Sequence, residues 1–158
     1  MYPASNRGLN RETAQAIYFF TNAFYPLDNF SAHQIKIWNK SFPTAEHAFQ
    51  WKKYSSTYPK ISLQILNASS PHVVKEISDS NKSKVSSRCH MEKLDVMRQI
   101  LITKFKQHED VREVLKKTGK KNIIENSPVD NFWGNGSNGK GQNHIGRLWM
   151  EIREEFLE

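Results

Sequence analysis

Four of the seven glycines in this chain fall between Gly134 and Gly141, and only 17 residues follow the last of them. Clustered glycines ahead of a helix permit positive φ and close approach to the backbone. The stretch Asp130-Asn131-Phe132-Trp133-Gly134-Asn135-Gly136-Ser137-Asn138-Gly139-Lys140-Gly141-Gln142-Asn143 therefore reads as an anion-binding loop opening a terminal helix, Ile145 to Leu157. Linkers are glycine-rich too, but they rarely carry Phe-Trp or abut a closing helix. Two phosphate-binding folds match on paper, and the surroundings of the match exclude both. Gly134-x-Gly136-x-x-Gly139 has dinucleotide spacing, yet that fingerprint needs a buried strand before it and a complete βαβ unit after it. Only one helix fits after Gly141. Gly134-x-x-x-x-Gly139-Lys140 imitates a P-loop, with Gly141 where a Ser or Thr must hold magnesium. The preceding Glu125–Asp130, with its proline and acids, is no central strand. What remains is a set of N–H groups at a helix start, able to face a phosphate.

A chain of 158 residues is sized for one domain with a real core. Aromatic residues reach 11%, which argues against disorder. Cys89 is the only cysteine, so no disulfide forms within the chain and a reducing, cytoplasmic setting is expected. No run of 18 apolar residues and no signal-peptide core is present, so no membrane is expected as a partner. The net charge of +7 is uneven: Lys36 to Lys121 holds 18 Lys/Arg against 8 Asp/Glu. Such a field favours phosphorylated or polyanionic partners, nucleic acid first among them. The histidines are scattered, no zinc-ligand spacing occurs, and no nucleophile elbow is present. A mechanism without metal or cofactor is expected.

Along the chain, residues 1–16 are expected to be a flexible segment and 17–158 a single domain. Ile17-Tyr18-Phe19-Phe20 reads as a short buried strand, and Ile35-Lys36-Ile37-Trp38, ending at Asn39-Lys40, as half a hairpin. Pro43-Thr44 opens a helix over Ala45–Tyr54 with Thr44 as N-cap. Pro59–Asn67 and Pro71–Ser78 read as short helices, the second capped by Ser70. Asp79–Ser87 is expected to be a mobile basic loop. A long helix follows over Met91–His108, its Leu94, Met97, Leu101 and Phe105 at core spacing. Val111–Lys117 is a further helix, stopped at Thr118-Gly119. The expected class is mainly α, multi-helical, with a small antiparallel β element near the N-terminus.

The helix after Pro43 carries the second informative pattern, which by itself also reads as a solvated polar face with Glu46 near the helix N-terminus. At 100° per residue, Glu46, Gln50 and Lys53 fall within about 60° of one another, so one face offers a carboxylate, an amide and an ammonium. Pro43-Thr44-x-Glu46-His47-x-Phe49-Gln50-x-x-Lys53, then Lys104-Phe105, Thr118-Gly119 and Asp130-x-x-Trp133-Gly134-x-Gly136-x-x-Gly139-x-Gly141-x-Asn143-x-x-Gly146, resembles the NADAR (YbiA-like) family. Asp28-Asn29-Phe30, Ser69-Ser70-Pro71, Met97 and Met150-x-x-Arg153 support it, and the likeness runs from about Tyr18 to Glu155. One departure stands out: the family usually has a tryptophan shortly before the long helix, where this chain has Cys89-His90-Met91.

The resemblance implies a compact, mainly helical N-glycosidase that cleaves ribose C1 from an exocyclic amine on a heterocycle. Two substrates follow from it: guanine carrying ADP-ribose in nucleic acid, or phosphorylated ribosylaminopyrimidine intermediates of riboflavin biosynthesis. The basic middle and a loop roomy enough for a pyrophosphate favour the first. The expected catalytic residues are Glu46, Lys53 and Asp130. Lys53 attacks C1 of the opened sugar, Glu46 moves the proton, and Asp130 holds ribose hydroxyls or acts as second acid/base. In the competing mechanism Glu46 activates water and Lys53 only binds. Burial and Lys52 are expected to lower the Lys53 pKa, and Glu46 to raise it. Asn29, Phe30, Gln50 and Trp133 are expected to contact substrate, with Phe30 and Trp133 stacking. Gly134, Gly136, Gly139, Gly141 and Asn143 are expected to present donors to phosphate or ribose. Lys82, Lys84 and Arg88 are the expected nucleic-acid contacts, and a catalytically idle nucleotide-binding module using them is the reading from another class.

Overall fold

Local capping chemistry sets most of the helices in the computed structural model, which describes residues 8–158. The chain divides into two compact units. One comprises Ala32–Gln107; the other joins Met1–Ser31 to His108–Glu158.

The Ala32–Gln107 unit holds strands β3 (Ile35–Ile37) and β4 (Lys40–Phe42) and helices α1 (Ala45–Tyr54), α2 (Pro59–Leu66), α3 (Pro71–Ser80) and α4 (Ser87–Gln107). The Thr44 hydroxyl accepts the His47 N–H and Ser70 accepts that of Val73, so both expected N-caps are in place. Pro59 and Pro71 open α2 and α3, where a missing N–H costs nothing. β3 and β4 pair antiparallel around Trp38-Asn39, both at positive φ, completing the expected hairpin. α1 packs on α2, α3 and α4. Tyr54, Ile61, Ile65 and Val74 form a core against which Trp51, Tyr58 and Ile77 pack. Each fully buried apolar side chain there contributes about 1.5–3 kcal/mol. The expected basic loop at 79–87 is mostly structured: α3 runs to Ser80, Lys82–Lys84 forms a 3-10 turn, and α4 begins at Ser87.

The second unit holds β1 (Arg11–Glu12), β2 (Ala16–Phe19), α5 (Glu109–Lys117), β5 (Asn122–Glu125) and α6 (His144–Leu157). The sheet order is β1-β2-β5, with β1 antiparallel to β2 and β5 parallel to it. The sheet is thus mixed, and β5 is a strand the sequence reading did not anticipate. Residues 8–16, expected within a loose segment, are tied down by β1 and by Thr13, whose hydroxyl accepts the Ala16 N–H at 3.0 Å. The first seven residues lie outside the described part. In α6, Ile145, Leu148, Trp149 and Ile152 are buried at helical spacing, and the Trp149 indole donates to the Leu27 carbonyl at 2.8 Å. Arg153 donates to Thr118 Oγ1 at 2.8 Å and to the Lys121 carbonyl at 2.9 Å, fastening α6 to the end of α5. Among the described residues no helix is long and apolar enough to cross a membrane.

Candidate active site

Glu46 and Lys53 stand seven residues apart on α1, two turns along one face. Glu46 is only 8% exposed. Its Oε1 accepts from Gln50 Nε2 at 2.8 Å, and Gln50 Oε1 accepts from the Ser78 hydroxyl at 2.6 Å. Tyr54 then donates its hydroxyl to the Ser78 carbonyl at 3.0 Å. Gln50, expected to touch substrate, is thereby occupied at both ends of its amide and orients Glu46 instead. Ser78 and Tyr54 are supports that sequence reasoning missed. Ser78 lies 28 residues beyond Gln50, and nothing local links them.

Burial pushes the Glu46 carboxyl above the usual carboxylate range, overcoming the Gln50 hydrogen bond and the charges of Lys53 and Lys75, while Asp79 pushes the same way as burial. Burial likewise pulls the Lys53 ammonium down, helped by Lys75 and Lys93 and resisted by Glu46 and Asp79. Both groups are driven toward their neutral forms. Lys52, expected to act on Lys53, is not among these influences; its ammonium sits 4.8 Å from the centre of the Trp38 ring. The Lys53 ammonium lies 4.8 Å from the Phe49 ring centre.

A cavity of about 380 Å³ opens at Lys53. Ser56 after α1, and Ser86, Arg88, Cys89 and Lys93 at the start of α4, line it. Hydroxyls and cations around an amine suit a phosphorylated sugar. The residues replacing the family's usual tryptophan thus fall in the first turns of α4, with Cys89 on the cavity wall and Met91 83% exposed. His47, beside Glu46, is not a proton carrier. Its Nε2 donates to the Ala68 carbonyl at 3.0 Å, its Nδ1 meets the Thr44 hydroxyl at 2.8 Å, and burial keeps it neutral.

Of the expected polyanion contacts, Arg88 faces this cavity, and all three cations have local partners. Lys82 pairs with Asp79 at 3.6 Å, Arg88 with Glu92 at 2.9 Å, and Lys84 sits over Tyr58 at 5.8 Å.

The remaining expected residues belong to the other unit. There the glycine loop engages several of its backbone donors within itself. The N–H groups of Gly139, Gly141, Gln142, Asn143, His144 and Ile145 donate to the carbonyls of Gly136, Asn135, Asn131, Gly134, Phe132 and Trp133. The start of α6 thus has its first donors engaged by its own loop. The Asn143 side chain, expected to reach ligand, accepts from Glu125 N–H and donates to the Ile123 carbonyl, both at 2.9 Å, and so lines β5 like a strand partner. The glycines serve packing and turning. A Cβ on Gly134 would lie 2.7 Å from the Glu125 carbonyl, one on Gly141 2.6 Å from the Gly134 carbonyl, and Gly136 and Gly139 have positive φ. Asp130 Oδ1 accepts the N–H groups of Phe132 and Trp133 at 2.9 and 2.8 Å, organising the same loop. Trp133 meets Phe132 edge-on at 4.8 Å, and Phe132 lies 4.4 Å from the His144 ring. Asn29 and Phe30 are buried, at 6% and 9% exposure, so the Phe30 ring is not displayed for stacking. Asp28 holds that segment by accepting the N–H groups of Asn22 and Phe30.

Lys53 lines the cavity with Arg88 and Lys93, and the Glu46 carboxyl, two turns away on the same face of α1, is pushed toward its neutral form; this arrangement suits acid-assisted chemistry on an anionic substrate. The NADAR domain family matches residues 10–157, and the chain belongs to it. The match spans residues of both units. N-glycosidase Npun_R5314 of Nostoc punctiforme is 34% identical over 143 residues, covering 89% of this chain and 92% of that protein. N-glycosidase YbiA of Escherichia coli is 33% identical over 146 residues, covering 92% and 90%. The NMR structure of E. coli YbiA superposes with a TM-score of 0.79 at 32% identity, over 96% of this chain and 90% of that one. Riboflavin biosynthesis protein VVA0006 of Vibrio vulnificus is 30% identical over 148 residues, which is 91% of this chain and 39% of that protein. Likeness over nearly the full length of named N-glycosidases makes this chain a hydrolase of the glycosidase class.

Proposed function

We propose that the protein hydrolyses the bond between ribose C1 and an exocyclic heterocyclic amine, on a ribose bearing a 5′-phosphoryl group, with Lys53 as nucleophile. The observation that carries this reading is the α1 pair: Glu46 is held toward its acid form and Lys53 toward its free amine. A protonated Glu46 suits the role of acid better than that of a base for water. It protonates the ring oxygen as the C1–O bond opens, leaving C1 doubly bonded to the exocyclic nitrogen. Lys53 Nζ adds to C1 and passes a proton to the exocyclic nitrogen, which departs as the free amine. The resulting C1=N bond to Lys53 is hydrolysed by water, releasing the sugar aldehyde and returning the proton to Glu46. Arg88, Lys93 and the two serines of the cavity receive the 5′-phosphoryl group.

Guanine ADP-ribosylated in nucleic acid is the leading substrate, supported by the positive charge concentrated in residues 32–107: 13 Lys/Arg against 5 Asp/Glu. The phosphorylated ribosylaminopyrimidine alternative is supported by the riboflavin-biosynthesis names of two relatives and by the modest cavity volume. Offering each substrate separately and quantifying the released amine and sugar tests the reading. Release of ADP-ribose with restored guanine is expected. Release only from the pyrimidine transfers the assignment to the alternative, and release from neither contradicts the glycosidase reading and favours an idle nucleotide-binding module.

A further inference from the structure

The hairpin turn of the Ala32–Gln107 unit carries an unusual residue. A two-residue turn with positive φ at both positions suits Asn and Gly, yet its first position is Trp38, at φ 54°. Holding a bulky residue there strains the backbone, and the turn itself does not require it. The indole it presents stacks on Trp51 of α1, with ring centres 6.1 Å apart and planes 19° from parallel. Both tryptophans are partly exposed. Beneath them Phe42 is fully buried, 5.3 Å from Trp51 and 6.3 Å from Trp38. The Lys52 ammonium lies 4.8 Å from the Trp38 ring centre, and that of Lys40 5.7 Å from Trp51. The deck holds two of the chain's four tryptophans, and its Lys52 also lines the cavity at Lys53, so the deck borders the proposed reaction site without Trp38, Trp51 or Lys40 lining that cavity.

Paired indoles with interleaved lysines combine what a single strand of nucleic acid needs: flat faces for bases and cations for phosphates. An acidic peptide would use the lysines but has no use for a strained indole. The deck also lies in the unit that carries a charge surplus of +8, against −1 in the rest of the chain. We infer that Trp38, Trp51, Lys40 and Lys52 form a sequence-tolerant platform for single-stranded nucleic acid flanking a modified base. The inference rests on the proposed function only for what the strand carries; binding of an unmodified strand is independent of turnover.

The test uses the full chain and a fluorescein-labelled, unmodified single-stranded oligoadenylate, read by anisotropy over a range of salt and by tryptophan quenching. Trp38→Asn removes the indole while giving the turn a residue that accepts positive φ, so its melting temperature is expected to match or exceed that of the parent. Loss of one stacked base should weaken binding roughly 5- to 150-fold. The Lys40→Ala, Lys52→Ala double variant should reduce the magnitude of the salt slope by about 1.4. Release of product from the small phosphorylated ribosylaminopyrimidine or an ADP-ribosylated guanosine should be unchanged in Trp38→Asn. The inference is overturned by no binding of oligoadenylate, by parent-like affinity and slope in both variants, or by equal competition from poly-glutamate. A parallel loss of small-substrate turnover in Trp38→Asn would also overturn it, since the deck would then belong to the active site.

Discussion

Lys53 and Glu46 oppose each other's displacement, yet burial dominates both, and this has consequences that can be measured residue by residue. Lys53 has its folded-state pKa lowered, so between that value and the ordinary one of about 10.4 the unfolded chain binds more protons. Stability contributed through Lys53 therefore rises with pH across that window and is flat below it. The difference between parent and Lys53→Met stability, followed by denaturant unfolding from pH 7 to 10.5, should show this climb; a flat difference would mean that Lys53 is solvated. In the proposed mechanism Glu46 works protonated and Lys53 works as the free amine, so the rate should fall on both sides of an optimum between their displaced values. Asp130 separates a loop-organising role from a chemical one. Asp130→Ala removes the acceptor for two N–H groups and should cost about 1 kcal/mol, like loss of an N-cap. Asp130→Asn keeps an acceptor and should fold as the parent does. A large loss of turnover in Asp130→Asn alone would give the carboxylate a part in the reaction, as the family resemblance implies.

At the scale of elements, α3 supports α1 through Ser78. Ser78→Ala strands the Gln50 Oε1 and should destabilise by about 1–3 kcal/mol while lowering kcat, because the amide that orients Glu46 is no longer fixed. An unchanged kcat would detach Ser78 from the site. At the start of α6, a Cβ on Gly146 would run into the Ile123 carbonyl and the Asn143 amide. Gly146→Ala should therefore cost about 3 kcal/mol and lower the melting temperature by roughly 6–12 °C, with no role for ligand. The elements that could be read from the sequence were those with local signals. Thr44, Ser70, Pro59 and Pro71 placed α1 to α3 because caps and proline act within one turn. β5 escaped because it is four residues long and its partner β2 lies about a hundred residues earlier, a pairing with no local trace. The glycine loop was ambiguous for a different reason. Room for close approach looks the same in sequence whether the visitor is a phosphate or the chain's own carbonyls, and here the carbonyls of residues 131–136 take the N–H groups of Gly139 and of residues 141–145. The 79–87 stretch looked mobile by composition; the Lys82–Asp79 and Arg88–Glu92 pairs stand at helical spacing, while the Lys84–Tyr58 contact emerges only in three dimensions. Glu46, Gln50 and Lys53 were legible as a face because helical periodicity is local; that Gln50 serves Glu46 was not.

Across the whole molecule, positive charge concentrates in residues 32–107, which hold the α1 pair, the cavity at Lys53 and a surplus of +8. The remaining residues carry −1 and are organised by backbone closure around β5 and α6. Lys82, Lys84 and Arg88 each have a local partner, so replacing all three with alanine should reduce the salt slope of oligonucleotide binding by less than the roughly 2 expected for three single-strand phosphate contacts. A drop of the full amount would restore them as the principal phosphate contacts. The central claim is that Lys53 forms a covalent bond to C1, and borohydride trapping during turnover tests it most directly. Intact-mass and peptide mass spectrometry of the parent, with the ADP-ribosylated guanine substrate present, should find one reduced sugar adduct on Lys53. Lys53→Arg, which keeps the charge but cannot form the imine, should show no adduct and lose turnover by several orders of magnitude. Near-parent turnover in Lys53→Arg with no adduct in either protein would contradict the account and leave Glu46-activated water as the route.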